Sequence, residues 1–446
     1  MAQVAPFIGT RYAVDRLGDL SLVLTPPYDV ISPEMQEAFY GLHPQNLIRV
    51  DFGKDLPTDR EFDNKYTRAS SLLEQWKQDG VLTVDDRPSF TAYEQTYRLP
   101  DGSERRRRGI WGLVKLEDLD AGVVHAHEQT FDAPKCDRFK LLRATQCNTS
   151  PVFCVYSDPQ ERIGPILEEE ARKKPWAEFQ DREGVWHRAW IISHDRTCKA
   201  ISEGLADKEL FIADGHHRYE TALLYRDQMR AQFKHAIGLQ PYDWTVMFLA
   251  NTEDPGTSIL PIHRALAREL DDGVDPDEFF ADLEEHFVVI PKKINLAKPG
   301  VGQSLADRVA RAGAKRPAFG VALTGGRAAL LKFKPRQNRR DLLGRSVPKA
   351  IRALDVSILH ELVIRRAWVG NPEIELDDQD IFYDRDPEAV VNLLRRRRAC
   401  AVFLVNPPTL EQMMAVARSG RRMPHKSTFF YPKVITGLVM REMRLP

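Results

Sequence analysis

Ala213-Asp214-Gly215-His216-His217-Arg218 sets an acid, a glycine, two histidines and an arginine between an apolar run, Leu210 to Ala213, and a helix-like stretch, Tyr219 to Met229. A strand–turn–helix junction of that composition suits an anion. A helix N-terminus offers unpaired N–H groups and partial positive charge. Gly215 lets the backbone approach closely or take a positive φ. Arg218 is able to grip a phosphate with two parallel hydrogen bonds. His216 and His217 can donate to phosphate oxygens or shuttle protons. Asp214 has the chemistry to hold a magnesium ion or to orient a histidine. The competing reading is that Asp214 caps the helix and the other side chains are satisfied locally. The G-x-x-x-x-G-K-[ST] loop is absent.

Upstream, His125-Ala126-His127-Glu128-Gln129-Thr130 precedes Pro134-Lys135-Cys136-Asp137-Arg138. Phosphoryl transfer needs a carboxylate to orient or deprotonate a hydroxyl, and cations for the developing charge. Glu128, with His127 beside it, fits the first need; Lys135 and Arg138 fit the second. The H-E-x-x-H zinc pattern is not met. A charged surface loop leading into a helix over 137–144 explains the same residues without chemistry. Candidate substrate contacts are Tyr28 and Asp29, Asn148 and Ser150, His263 and Arg264, and Lys426, Ser427 and Thr428. The stretch holding His263 and Arg264 reads equally well as the start of a helix, and the 426–428 stretch as a structural turn.

Leu20 to Leu24 reads as a short strand ending at Pro26-Pro27. Ser32-Pro33 predicts a helix start, with the helix over about 34–40. Apolar spacing predicts a helix over 62–78 with Gly80 at its end. Phe90 to Tyr97 and Arg107 to Leu116 flank the turn-forming Pro100-Asp101-Gly102. Further strands are expected at 152–156, 186–192, 210–213 and 244–250. Beyond about 265 the pattern gives a helix over 275–286, a hairpin around Thr324-Gly325-Gly326, a helix over 351–367, a strand at 399–405 and a helix at 409–417. The alternation favours an α/β (α+β) fold. The expected division is 1–90 packed on a core of 91–268, followed by an α+β domain over 269–446.

Lys+Arg and Asp+Glu both number 64 in 446 residues. A balanced chain has no global attraction to nucleic acid or anionic membrane, so neither is an expected partner. The runs Arg105 to Arg108 and Arg395 to Arg398 are expected to be solvated faces. Five cysteines without a C-x-x-C pair argue against a disulfide framework or structural zinc. With no signal-peptide pattern and no apolar stretch near the ~20 residues of a membrane span, a cytoplasmic location is expected. Oligomeric state is not legible.

Taken in order, the motifs resemble the bacterial and archaeal family catalogued as domain of unknown function 1015. Its carriers are Pro27 to Ser32, His127 to Thr130, Pro134 to Arg138, Asn148 to Phe153, Ile212 to Ala222, Leu260 to Arg264 and Met423 to Lys433. The Asp-Gly-His-His-Arg stretch is also similar to the phosphate-binding motif of the ParB/sulfiredoxin-like superfamily, which includes partition nucleotide switches, sulfiredoxin and kinases of free serine. That resemblance implies a nucleotide-binding core in which 214–218 hold phosphates and Glu128 is the base. It also implies ATP or ADP with Mg²⁺ as cofactors.

Three functions follow. The first is a nucleotide-dependent phosphotransferase acting on a small hydroxyl compound, free serine leading. The second is a nucleotide-binding switch or DNA-associated module, which wants a basic surface that the charge balance does not supply. The third is a phosphatase- or nuclease-type hydrolase using the same cradle with water as acceptor.

Overall fold

Ser32 accepts a hydrogen bond from the Met35 amide at 3.2 Å, and Pro33 opens the helix, α1 (Pro33–Leu42). Asn64 caps α2 (Lys65–Gln78), whose Ala69, Leu73 and Trp76 turn inward at helical spacing. Leu20–Leu22, expected as part of a strand, is a single tight helical turn because Asp19 accepts from the Ser21 amide at 2.8 Å. The computed structural model describes residues 1–267, 274–335, 337–370 and 380–443. It divides into two compact units, 1–258 with 432–446, and 259–431.

The first unit is built on a nine-stranded mixed sheet. Its strands are β1 (Val4–Ala5), β2 (Phe90–Arg98), β3 (Glu104–Lys115), β4 (Val124–His125), β5 (Val152–Tyr156), β6 (Ala177–Gln180), β7 (Trp186–Ile192), β8 (Leu210–Asp214) and β9 (Trp244–Asn251). They lie in the order β4-β8-β5-β9-β3-β2-β7-β6, with β1 on β3. β4 with β8 and β5 with β9 are parallel; β5 and β8 are antiparallel. Helices α3 (Asp132–Thr145), α4 (Asp195–Leu205) and α5 (His216–Gln232) belong to this unit. Its core joins Ile110, Cys154, Ile201, Leu210, Ile212 and Leu249, none more than 1% exposed. Residues 432–443 belong here rather than with the stretch before them: Arg441–Glu442 pairs with Cys147–Asn148, and Gly437 donates to the Thr149 carbonyl. The expected 269–446 block therefore does not stay together, because local patterning carries no information about ladders closed over such separations.

The second unit is a six-stranded antiparallel sheet in the order β11-β13-β12-β15-β10-β14. These are β10 (His263–Ala267), β11 (Phe287–Lys293), β12 (Ala318–Leu323), β13 (Arg327–Phe333), β14 (Ile381–Asp384) and β15 (Ala399–Leu404). The 324–326 hairpin turns through Gly325 and Gly326, both at positive φ. The helix expected over 351–367 breaks into Lys349–Arg352, Asp355–Ile358 and a widened turn over Leu359–Trp368. The architecture is mixed α/β with several sheets. Among the described residues no helix is long and apolar enough to cross a membrane.

Candidate functional site

β8 pairs with β5 through Phe211↔Val155, Ile212↔Cys154 and Asp214↔Phe153, with a register shift between Ile212 and Asp214. Such an irregularity re-aims the side chains that follow it. Gly215 then takes φ 89 and begins α5, and no side chain caps that helix end. Asp214 is thus not a cap, and the competing reading of the motif fails at that point. The Arg218 guanidinium folds back onto Gly215: a Cβ there would lie 2.8 Å from Nε and 2.9 Å from Cζ. The glycine is required twice, for its backbone and for its missing side chain.

Arg218 Nη2 reaches Asp214 Oδ2 at 2.6 Å, while Nη1 donates to Ser150 Oγ at 2.6 Å and to the Pro151 carbonyl. Its fork is therefore spent on holding the turn, not left open for two phosphate oxygens as expected. Lys433 binds the other oxygen of Asp214. The lysine is delivered by its backbone: Gln95 donates to the Lys433 carbonyl at 2.9 Å, and Arg107 Nη2 to the Pro432 carbonyl at 2.6 Å. Arg107, from a run expected to be solvated, is completely buried, while Arg105 and Arg106 are exposed and Arg108 pairs with Glu94 at 2.5 Å. Burial lowers its pKa to about 10.

Two carboxyls at this place titrate in opposite directions. Burial alone would raise Asp214, but Lys433 and Arg218 outweigh it and hold the group below the ordinary carboxylate range. Asp29 reaches solvent, yet protein atoms crowd its carboxyl. That desolvation, followed by repulsion from Asp214, raises its pKa; Arg218 and Lys433 oppose the rise and Glu128 adds to it. With cations on both its oxygens, Asp214 does not fit the magnesium role. Among the described residues no cluster of three or more His, Cys, Asp or Glu side chains is arranged for a metal ion.

The histidines are wired separately. His216 Nε2 accepts from the His127 amide at 3.3 Å, and its Nδ1 lies 3.3 Å from Glu128 Oε2. An accepting Nε2 leaves the proton on Nδ1, which is buried beside the carboxylate without a hydrogen-bond partner. The His127 and His216 rings meet edge to face at 4.6 Å. His217 Nε2 accepts from the Phe131 amide at 2.9 Å, and burial lowers the His217 pKa, so this ring is neutral. Lys135 lies 3.2 Å from Asp132 and 3.5 Å from Glu220. All of these residues sit on α3, α5 and the loop between β4 and α3.

Arg138 stands apart from the expectation. Its nitrogens donate to Asp137 at 2.9 and 2.6 Å and to the Asp51 carbonyl at 2.7 Å, with the Tyr28 ring 4.1 Å from Cζ. It is a buried strut rather than an open phosphate ligand. Asn148 lies on the ladder facing Arg441. In the second unit, His263 and Arg264 form a strand, β10, not the start of a helix. His263 Nδ1 accepts from the Val405 amide at 3.2 Å; Arg264 donates to His360 Nε2 at 3.2 Å and to the Lys426 carbonyl at 3.0 Å. Ser427 donates to the Pro424 carbonyl, Lys426 is exposed at φ 51, and Thr428 follows it, half-buried. Sequence reasoning left Lys433, Gln95 and Arg107 out of the site. Lys433 stood at the end of a recognised motif, whereas nothing marked the other two.

A family model described as "Protein of unknown function (DUF1015)" matches residues 4–357, so the chain belongs to that family. No curated protein matches the chain. Among solved structures, a free serine kinase variant in complex with AMP aligns at 12% identity and TM-score 0.33, covering 72% of this chain and 87% of that one. A conserved hypothetical protein from Pyrococcus furiosus aligns at 12% identity and TM-score 0.30 (73% and 92% covered). SbnI with C-terminal truncation from Staphylococcus aureus aligns at 9% and 0.31 (73% and 84% covered). Likenesses this remote decide nothing about activity.

Proposed function

We propose that this DUF1015-family chain transfers a phosphoryl group from ATP or ADP to a small hydroxyl compound, using the ParB/sulfiredoxin-like junction of β8 and α5 as its phosphate cradle. One observation carries the reading: the N-terminus of α5 is uncapped, and beside it Asp214 is held between Arg218 and Lys433. The leading N–H groups of α5, residues 216–218, have no acceptor within the helix and suit phosphate oxygens. The nucleotide, with Mg²⁺ on its phosphates, supplies the transferred group.

The protein's part is positioning and electrostatics. Lys433, fixed by Arg107 and Gln95, adds positive charge. Arg218 braces the turn so that the amides keep their aim. Asp29 and Glu128 are the carboxyls suited to take the acceptor's proton. A raised pKa makes Asp29 the stronger base of the two acids whose shifts are opposed here, because a general base works best near the operating pH. His216 adds a ring nitrogen 3.3 Å from Glu128 Oε2.

Purified protein incubated with ATP or ADP, Mg²⁺ and a panel of hydroxyl acceptors, free serine first, should yield the phosphorylated acceptor. Phosphate released at the same rate without any acceptor supports a hydrolase instead. Absence of turnover with every nucleotide and acceptor rejects the proposal.

A further inference from the structure

A cavity of about 50 Å³ lies against the side of α5, with Asp51, Asn148, Arg218, Thr221 and Ala222 in its wall. Four residues of its wall each carry a buried side-chain atom without a hydrogen-bond partner: Asp51 Oδ2, Asn148 Oδ1, Arg218 Nε and Thr221 Oγ1. Asp51 and Thr221 are 3% and 2% exposed. A buried polar atom left unsatisfied costs about 1–3 kcal/mol. Four such atoms on residues of one cavity wall are the ground for inferring a complementary occupant.

The free valences state its chemistry. Arg218 Nε offers a donor, Asp51 Oδ2 an acceptor, Asn148 one of either kind according to its amide orientation, and the Thr221 hydroxyl one of either kind. The occupant must both donate and accept. It must also be neutral, because the charges around the cavity are already matched. Arg218 is paired with Asp214 at 2.6 Å, and Arg138 lies 3.5 Å from Asp51 and 2.6 Å from Asp137. An extra cation would face Arg218 and Arg138, and an extra anion would face Asp51, each without a counter-charge. Leu141, Leu142 and Ala222 make the apolar part of the wall, and Thr149, Ser150 and Thr245 add further hydroxyl residues. The volume equals roughly one to two molecules of liquid water at ~30 Å³ each, the size of a hydroxymethyl group.

We propose that this cavity is a binding site for a neutral hydroxyl group and that Thr221 and Asp51 determine its specificity. Two sources supply such a group: ordered water, or an organic hydroxyl compound whose head enters the space. The proposal commits to the organic compound. Taken with the phosphotransferase reading, on which this clause alone rests, that compound is the phosphoryl acceptor: Arg218 and Ser150 stand in the cavity wall and also brace the turn.

Glycerol is the probe, with methylammonium and formate as a cation and an anion the size of its hydroxymethyl head, each titrated into the full-length protein by ligand-observed NMR. Glycerol should bind in the millimolar range and the two charged compounds about tenfold or more weakly. Thr221→Val keeps the shape and removes the hydroxyl, and should weaken glycerol about tenfold, whereas Thr221→Ser should restore it. Ala222→Val, which fills the space, should abolish binding while circular dichroism reports a native fold. A crystal soaked in glycerol should show its hydroxyl on Thr221 and Asp51. Equal binding of all three compounds, indifference to Thr221→Val, or water alone in the soaked crystal overturns the proposal. ADP titrated into the same samples reads the cradle separately, so either idea can fail while the other stands.

Discussion

Lys433 and Asp214 stand 219 residues apart in the chain and form an ion pair that is largely buried, with 15% and 12% of their side chains exposed. The same carboxylate holds Arg218 on its other oxygen, so a strand end, a helix start and the C-terminal segment are joined through one acid.

Removing the distant cation tests that junction. Lys433→Met should cost about 1–3 kcal/mol in urea unfolding, the range for a buried acceptor left without its partner. Because Arg218 still balances Asp214, the loss should stay below that of a fully uncompensated buried charge. Asp214→Asn in the same chain should be less than additive with Lys433→Met, by a double-mutant cycle. Additive losses would show that the two groups act independently.

Acid unfolding gives a second check. The folded pKa of Asp214 lies below its unfolded value of about 3.9. Its pairing thus adds stability that is complete above that value and is lost as pH falls through the lower folded value. Lys433→Met removes the first of the two stabilising charges, so its acid transition should begin at higher pH than that of the wild type. Circular dichroism across pH 2–6 (about four units) reads the shift.

The cradle depends on Gly215. Alanine there must adopt φ 89 and pushes against Arg218 Nε and Cζ. Gly215→Ala should destabilise by about 1–2 kcal/mol from the left-handed backbone alone. It should weaken ADP binding about tenfold or more, measured by calorimetry, by displacing the guanidinium that braces the turn.

The base assignment has a pH signature. Asp29 loses its proton above the ordinary carboxylate range, so activity should rise through a limb displaced upward from that range. Asp29→Asn should remove the limb and lower kcat by about 10²–10⁴. Survival of the limb in that variant would transfer the role to Glu128.

Tyr28 covers Arg138 at 4.1 Å. Tyr28→Ala should cost about 0.5–2 kcal/mol in thermal or urea unfolding, and Tyr28→Phe much less, since the ring face makes the contact.

By itself the sequence determined the local elements and their order. Leu210 to Ala213 followed by glycine and a helical stretch specified the strand–turn–helix, because side-chain periodicity and a glycine requirement are properties of neighbouring residues. The Ser32-Pro33 start, the 100–102 and 324–326 hairpins and the strands at 152–156 and 186–192 were legible for the same reason. Which charges meet was decided only by tertiary structure. Arg107 and Arg138 read as surface or ligand arginines, and tertiary packing buries both: Gln95 and the Pro432 carbonyl close over Arg107, and Asp51 and Tyr28 over Arg138. Arg218 read as a phosphate fork, and Asp214, Ser150 and Pro151 claim its nitrogens. Lys433 reaches the junction because the final segment pairs with Cys147–Asn148. An ion pair depends on distances set by sheet register and chain return, and no local pattern encodes a contact closed across 219 residues.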